Sequence, residues 1–273
     1  MLGLSGASAA SAAMYMRFVE PGWIEANHAE VPLGRGSGRR QLKLLHLSDL
    51  HASSVVSLDY LAEAIELGVS QHPDLICLTG DYITTTWKDW ADYARLLERL
   101  SAAAPTFACL GNHDGGYWAH LHQGYPTTTE VQDLLAQARI SLLDNASVGI
   151  SLAGWNLNLV GVGDLFARQF RPTQAFHGWK PEKDNVTVVL SHNPDSKRLL
   201  RPYTWDLMLC GHTHGGQIEL PLIGAPFAPI KDMHFIKGLH SWEHRWIHIT
   251  KGIGNVWGLR FNCRPEISLL SLT

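Results

Sequence analysis

The sequence predicts an α/β fold in which two layered β-sheets carry flanking helices. Three observations lead there. In the first half, polar clusters end short apolar runs at Asp49, Asp81 and Asn112, spaced 32 and 31 residues apart. A strand–helix–strand unit takes about 30 residues or more, so the clusters recur at one place in successive units. After residue 140 the texture changes to short apolar or alternating runs broken at Gly, Pro and Asn, which reads as strand-rich. No repeat or linker interrupts residues 41–273, which are therefore read as one domain, with residues 1–40 set apart as an N-terminal segment.

Lys43 to Leu47 is a short apolar run, read as a strand ending at Ser48-Asp49-Leu50-His51. Leu58, Leu61, Ala62, Ile65 and Leu67 follow at near-helical spacing, with Ser57 as the N-cap. Leu75 to Leu78 is a buried strand ending at Gly80-Asp81, and Trp90, Tyr93, Leu96, Leu97 and Leu100 mark a second helix. Phe107 to Leu110 is a third strand, ending at Gly111-Asn112-His113-Asp114. Thr128 or Thr129 caps a third helix with Val131, Leu134 and Leu135 on its core face. The later strands are expected at 140–143, 148–152, 155–162, 186–190, 206–209, 217–220, 245–249 and 266–272, with one helix near 196–201.

Composition sets bounds on function. The chain has 273 residues, 45% hydrophobic and 17% charged, which is too apolar for disorder and long enough to bury a large core. A net charge of −3 argues against a nucleic-acid binder held by a broad basic face. Four cysteines without a CxxC pair read as buried free thiols. No apolar stretch reaches 18 residues. Residues 3–13 are small and weakly apolar, like the end of a signal peptide, with no basic region before them; an export signal cut short and a plain frayed terminus are both open. Arg39-Arg40 resembles a twin-arginine signal only superficially, because the apolar run after it carries the first polar cluster. The expected location is the cell envelope or periplasm if a signal was truncated, and otherwise the cytoplasm.

Five polar clusters each follow an apolar run: Asp49-Leu50-His51, Gly80-Asp81, Gly111-Asn112-His113-Asp114, Ser191-His192-Asn193 and Gly211-His212-Thr213-His214. Ligands in open α/β sheets bind outside the carboxyl ends of strands, where these clusters fall. Asp49, His51, Asp81, Asn112, His192, His212 and His214 are seven carboxylate, carboxamide and imidazole donors, a mixture that suits borderline divalent transition metals. One ion would be satisfied by four or five of them; seven suit two ions sharing a bridging carboxylate. Taken singly, a Gly-Asp or Gly-Asn after a strand is an ordinary turn.

The ordered set resembles the calcineurin-like metallophosphoesterase superfamily, whose motifs run D-x-H, G-D, G-N-H-[DE], H and G-H-x-H. Ser191-His192-Asn193-Pro194-Asp195 and Gly211-His212-Thr213-His214-Gly215-Gly216-Gln217 are similar to the bacterial YaeI/YkuE-type phosphodiesterases within it, as are residues 205–210, 260–266 and 19–23. The resemblance implies a four-layer α-β-β-α sandwich of two mixed sheets flanked by helices. It implies a dinuclear, metal-dependent phosphodiesterase in which a metal-bridging hydroxide attacks phosphorus. Asp49, His51 and His214 would hold one ion, Asn112, His192 and His212 the other, and Asp81 both. His113 would protonate the leaving oxygen or bond a phosphoryl oxygen, and Asp114 would orient it or else cap a turn. The ions are two divalent cations, manganese first, with Fe, Zn, Co and Ni compatible.

Substrate class stays open at this point. A phosphodiester is the first expectation; the alternative is a lipid-linked pyrophosphate such as UDP-2,3-diacylglucosamine. Trp87, Trp90, Tyr117, Trp118 and Trp257 would form an acyl groove or a peripheral membrane contact, or serve as plain core. Arg260 and Arg264 would meet a substrate phosphate or pair with Glu266 or Asp81. His46 is read as structural, His120 and His122 as pocket or loop residues, and Asp164 as a support behind the ligands or a turn residue. A non-catalytic metal-binding scaffold is the remaining alternative. No nucleic-acid partner is expected, and the oligomeric state is left open.

Overall fold

A computed structural model of the chain describes residues 10–34, 40–179 and 184–273. Residues 3–9 of the leader-like run and the Gly36, Ser37, Gly38 and Arg39 of the lead-in lie outside the described residues. Among those described, twelve strands form two six-stranded sheets. The first runs in the order β1 (Glu25–Val31), β12 (Glu266–Leu272), β2 (Leu42–Leu47), β3 (Leu75–Thr79), β4 (Thr106–Cys109) and β5 (Ser141–Leu142). The second runs β10 (Gly238–Trp242), β11 (Arg245–Ile249), β9 (Leu207–Cys210), β8 (Asn185–Leu190), β7 (Trp155–Gly161) and β6 (Ala146–Leu152). Both are mixed: β2 to β5 are parallel neighbours, as are β11, β9, β8 and β7.

Side chains alternate across a strand, and that alternation builds the layers. On β3, Leu75 and Cys77 point between the sheets, where they meet Leu157, Val188 and Leu209 of the second sheet. Ile76 and Leu78 point the other way, onto α1 (Leu58–Val69), α2 (Trp90–Ala103) and α3 (Thr129–Gln137) through Leu61, Ile65, Leu97, Leu100 and Leu134. The outer face of the second sheet, with Val189, Met208 and Ile247, is covered by Phe176, Leu200, Trp205 and Phe235 from loops and short helices. Strands buried on both faces read as continuous apolar runs, which is why β3, β4, β8 and β9 stand out in the sequence. The result is the four-layer α-β-β-α sandwich. Ser57 caps α1 as expected, its Oγ accepting from Tyr60 N at 3.2 Å.

Besides short helices at Tyr117–Leu121 and Pro172–Ala175 that were not expected, the sheets and their connections differ from the sequence expectation in four places. Glu25–Val31, within the segment set apart as residues 1–40, forms β1 and pairs along its whole length with β12. Its side chains are mostly polar because it is an edge strand, so periodicity does not reveal it. The helix expected at 196–201 is a 3₁₀ turn, Pro194–Arg198, opened by the Asn193 carboxamide accepting from Asp195 N. No strand forms over residues 217–220; the chain turns sharply at Gln217 and touches Phe261 by one isolated bridge from Ile218. β10, Gly238–Trp242, was not among the expected strands. No described helix is long and apolar enough to cross a membrane.

Candidate metal centre

The carboxyl ends of β2, β3 and β4 in one sheet and β8 and β9 in the other converge, and the five polar clusters leave from them. Two glycines show how close the loops come. A Cβ on Gly111 would sit 2.2 Å from Asp81 Oδ1, and one on Gly211 would sit 2.0 Å from Ser48 Oγ and 2.2 Å from Asp49 Oδ2. Five of the seven candidate ligands hold left-handed backbone, Asp49, His51, Asp81, His212 and His214, with φ between 50° and 70°. Such conformations cost of order 1–3 kcal/mol each and cluster at functional sites. His212 N donates to both carboxylate oxygens of Asp49 at 3.1 Å, so the last cluster is tied to the first.

The seven side chains are buried and share one site. His214 Nε2 lies 3.1 Å from His51 Nε2 and 3.4 Å from Asp49 Oδ1. His192 Nε2 lies 3.2 Å from His212 Nδ1. Between the two groups sits Asp81, whose Oδ2 is 3.5 Å from His51 Nε2 and 3.1 Å from His192 Nε2. Ligand atoms of Asp49, His51 and His214, and of Asp81, His192 and His212, each lie within 4.8 Å of one another. Asn112 Oδ1 is buried without a hydrogen-bond partner.

This donor set fits divalent cations. Lone pairs face lone pairs, and one proton at most fits between two ring nitrogens 3.1 Å apart. Burial holds His51 and His212 down to about 3, reinforced by His113 for the first and His192 for the second, so both rings are neutral and can ligate. His214 is likewise held well below its usual value by burial and His51. Burial pushes Asp49 up to about 6, with His192 opposing and Asp81 adding. Burial also works to lower His192, but the charge of the Asp81 carboxylate beside it outweighs burial and raises it above its usual value. His192 Nδ1 donates to Thr79 O at 2.7 Å, which aims Nε2 at the centre.

His113 sits at the rim. Its Nδ1 is 2.6 Å from Thr84 O, and because a carbonyl only accepts, Nδ1 carries the hydrogen. Its ring packs edge-on to His51 and against Trp118, which stacks on His122. Asp114 does not orient this ring. Its carboxylate accepts from Asp81 N, Tyr82 N and Gly111 N at 2.7–2.8 Å, clamping two ligand loops together. Of the two roles expected from the sequence, orienting His113 or capping a turn, these bonds match the second, the one from Gly111 N closing a turn three residues long.

A cavity of about 390 Å³ opens over the centre, lined by Asp81, Asn112, His113, His212 and His214 with Trp118, Phe166, Phe227, Val256 and Trp257. Of the five aromatic residues named from the sequence, Trp118 and Trp257 line it. Trp87 and Trp90 pack on the helical core instead, and exposed Tyr117 lies under the Arg168 guanidinium. Arg260 is fully buried, and its guanidinium donates to the carbonyls of Lys251, Gly252, Gly254 and Cys263, so it meets neither substrate nor Glu266. Arg264 bonds Trp23 O and Glu25 away from the cavity. His46 is buried against His248 and Thr79, as a structural residue. Asp164 Oδ1 accepts from Phe166 N and so holds the Phe166 ring edge-on to His212. Sequence reasoning missed Thr84, Phe166 and Gln217 on this cavity; only Gln217, inside a quoted motif, carried any signal.

A family model described as Calcineurin-like phosphoesterase matches residues 42–216. Phosphodiesterase YaeI of Escherichia coli (strain K12) is 41% identical over 263 residues, covering 94% of this chain and 92% of that protein. UDP-2,3-diacylglucosamine pyrophosphatase LpxG of Chlamydia muridarum is 29% identical over 307 aligned residues, covering 91% and 92% respectively. Metallophosphoesterase YkuE of Bacillus subtilis (strain 168) is 29% identical over 283 residues, covering 99% and 95%.

Proposed function

The chain belongs to the calcineurin-like phosphoesterase family and is a hydrolase acting on phosphoesters, and we propose that its substrate is a phosphodiester cleaved at a centre of two divalent cations. Asp49, His51 and His214 would hold the first cation, Asn112, His192 and His212 the second, and Asp81 would serve both. The single observation that carries this is the Asp81 carboxylate, placed between two sets of buried nitrogen donors. When bound, the cations supply positive charge to the phosphate and make water acidic enough to attack at neutral pH. Manganese is the first candidate for both.

The chain's own groups do the rest. The Thr84 carbonyl holds one hydrogen on His113 Nδ1, which leaves Nε2 as the ring nitrogen that takes up a proton and passes it to the leaving oxygen. Trp118 limits rotation of that ring. Asp114 keeps the Asp81 and Asn112 loops in register. The apolar cavity wall excludes water beside the phosphate and strengthens every charge interaction there.

Elemental analysis and hydrolysis of bis-p-nitrophenyl phosphate with added manganese test this together. Two ions per chain and at least a hundredfold loss in Asn112→Ala are expected. Equal activity in both proteins would end the proposal. A second reading is favoured by Trp118, Phe166, Phe227 and Trp257, an apolar wall large enough for an acyl chain. On that reading the substrate is a lipid-linked pyrophosphate like that named for LpxG, met by peripheral contact with a membrane. Release of UMP from UDP-2,3-diacylglucosamine would favour it over the simple diester.

A further inference from the structure

Gln217 closes the Gly211-His212-Thr213-His214-Gly215-Gly216-Gln217 run, and none of the roles above uses it. Its backbone has φ 60° and ψ −40°, and Ile218 N donates to Gly216 O at 2.6 Å across it. That is a γ-turn with positive φ at its centre, a rare and strained conformation. Glycine would hold it with far less strain. The turn is pinned on both sides, by Gln217 N donating to His214 O at 2.9 Å and Phe261 N donating to Gln217 O at 3.0 Å.

The side chain adds a second cost. Gln217 is 4% exposed, lines the cavity over the metal centre, and its Nε2 is buried with no hydrogen-bond partner. A buried donor left unmade costs about 1–3 kcal/mol. Phe227, Pro229, Val256 and Trp257 on the same cavity offer it no side-chain acceptor. The Asp81 and Asn112 oxygens are the ones assigned to cations. A strained backbone and an unsatisfied amide at one residue point to an acceptor that arrives from outside the chain.

We propose that the Gln217 carboxamide positions the substrate by donating a hydrogen bond from Nε2 to a non-bridging phosphoryl oxygen. This rests on the phosphoesterase reading. It adds a neutral donor beside the cations, aimed at oxygens that carry negative charge throughout the reaction.

Gln217→Gly is the informative variant, because it removes the amide and relaxes the turn. Against bis-p-nitrophenyl phosphate its kcat/KM falls roughly 10- to 100-fold, the usual worth of a hydrogen bond to a charged group. The Kd for inorganic phosphate, measured by calorimetry on manganese-loaded protein, rises by a similar factor. Metal content stays at the wild-type value, and the melting temperature does not fall. Gln217→Glu, which sets a carboxylate against the phosphate, binds phosphate more weakly than Gln217→Gly. Unchanged phosphate affinity in Gln217→Gly would overturn the proposal, whatever the rate does. So would loss of metal, which would make the residue a support for the ligands. A wild-type protein inert toward every phosphoester would remove the family activity while leaving the phosphate-binding arm to judge Gln217. An active wild type with an unaffected Gln217→Gly variant would remove Gln217 alone.

Discussion

Replacing Gly211 by alanine adds one methyl group to the point where the two sheets' loops touch. The new Cβ would lie 2.2 Å from Asp49 Oδ2 and 2.0 Å from Ser48 Oγ. A relaxed C···O contact is about 3.3 Å, so one side must retreat by about 1 Å. Neither oxygen can swing out to solvent. Asp49 is fully buried and accepts from His212 N, and Ser48 Oγ donates to Thr79 O at 3.1 Å. The displacement therefore falls on Asp49 and on the loop that carries His212 and His214. Overpacking of this kind costs typically 1–3 kcal/mol. At roughly 2–4 °C per kcal/mol for a domain of this size class, the melting temperature falls by about 2–12 °C. A misplacement of about 1 Å at a catalytic centre can cost on the order of a hundredfold in rate. The assay is elemental analysis after gel filtration, a melting curve with and without manganese, and kcat on a diester. Gly149→Ala is the control, since a Cβ there meets nothing within 4 Å. A Gly211→Ala protein with full metal content, rate and melting temperature would refute the claim that backbone contact at this glycine sets the position of Asp49.

Arg260→Met should lower stability by about 3 kcal/mol or more in urea, because four buried carbonyls lose their donor. Activity lost with stability intact would instead mean that Arg260 reaches substrate. Acid should destabilise the chain through His248, which burial holds down to about 4. The unfolded ring takes a proton near pH 6.5 that the folded ring refuses, so stability present above that pH is lost progressively down to about pH 4. The loss is of order 3 kcal/mol. His248→Asn should shed that part of the pH dependence; an unaltered urea-midpoint profile would contradict it. Chelation should lower the melting temperature, since ions bound at a hundred times Kd stabilise by about 2.7 kcal/mol. Asp81→Asn should show at most half of the wild-type rise when manganese is returned, and a full rise would show that Asp81 serves neither cation.

Much of the centre was legible because two kinds of signal coincide. An apolar run of four to six residues that stops at Asp, Asn or His marks both a buried strand and its functional end, and β2, β3, β4, β8 and β9 all follow that form. Edge strands carry no such signal. Glu25–Val31 buries little, so nothing in its composition distinguishes it from a linker. Partners of long side chains were equally invisible. Arg260 was free on paper to meet a phosphate, a glutamate or a carbonyl, and only the closed loop from Lys251 to Cys263 decides the matter. Asp114 was read as the partner of its neighbour His113 or as a turn cap, since adjacency is all a sequence offers, whereas the fold also turns its carboxylate toward backbone 32 and 33 residues upstream.

Backbone conformation is the deepest of these omissions, and it explains why the motifs have the form they do. A strand end must hand its next side chain back toward the sheet axis if ligands from separate loops are to share one ion. Left-handed backbone at Asp49, His51, Asp81, His212 and His214 makes that reversal within a single residue. The loops then run so close that Gly111 and Gly211 have no room for a methyl group. Five strained ligands would be a poor arrangement for a chain selected for stability alone. The strain is offset only if something binds where the side chains meet. The same logic extends to Gln217, whose unfavourable turn and unpaired amide face that cavity three residues beyond His214, so that costly backbone lies both at the proposed cation ligands and at the proposed substrate donor.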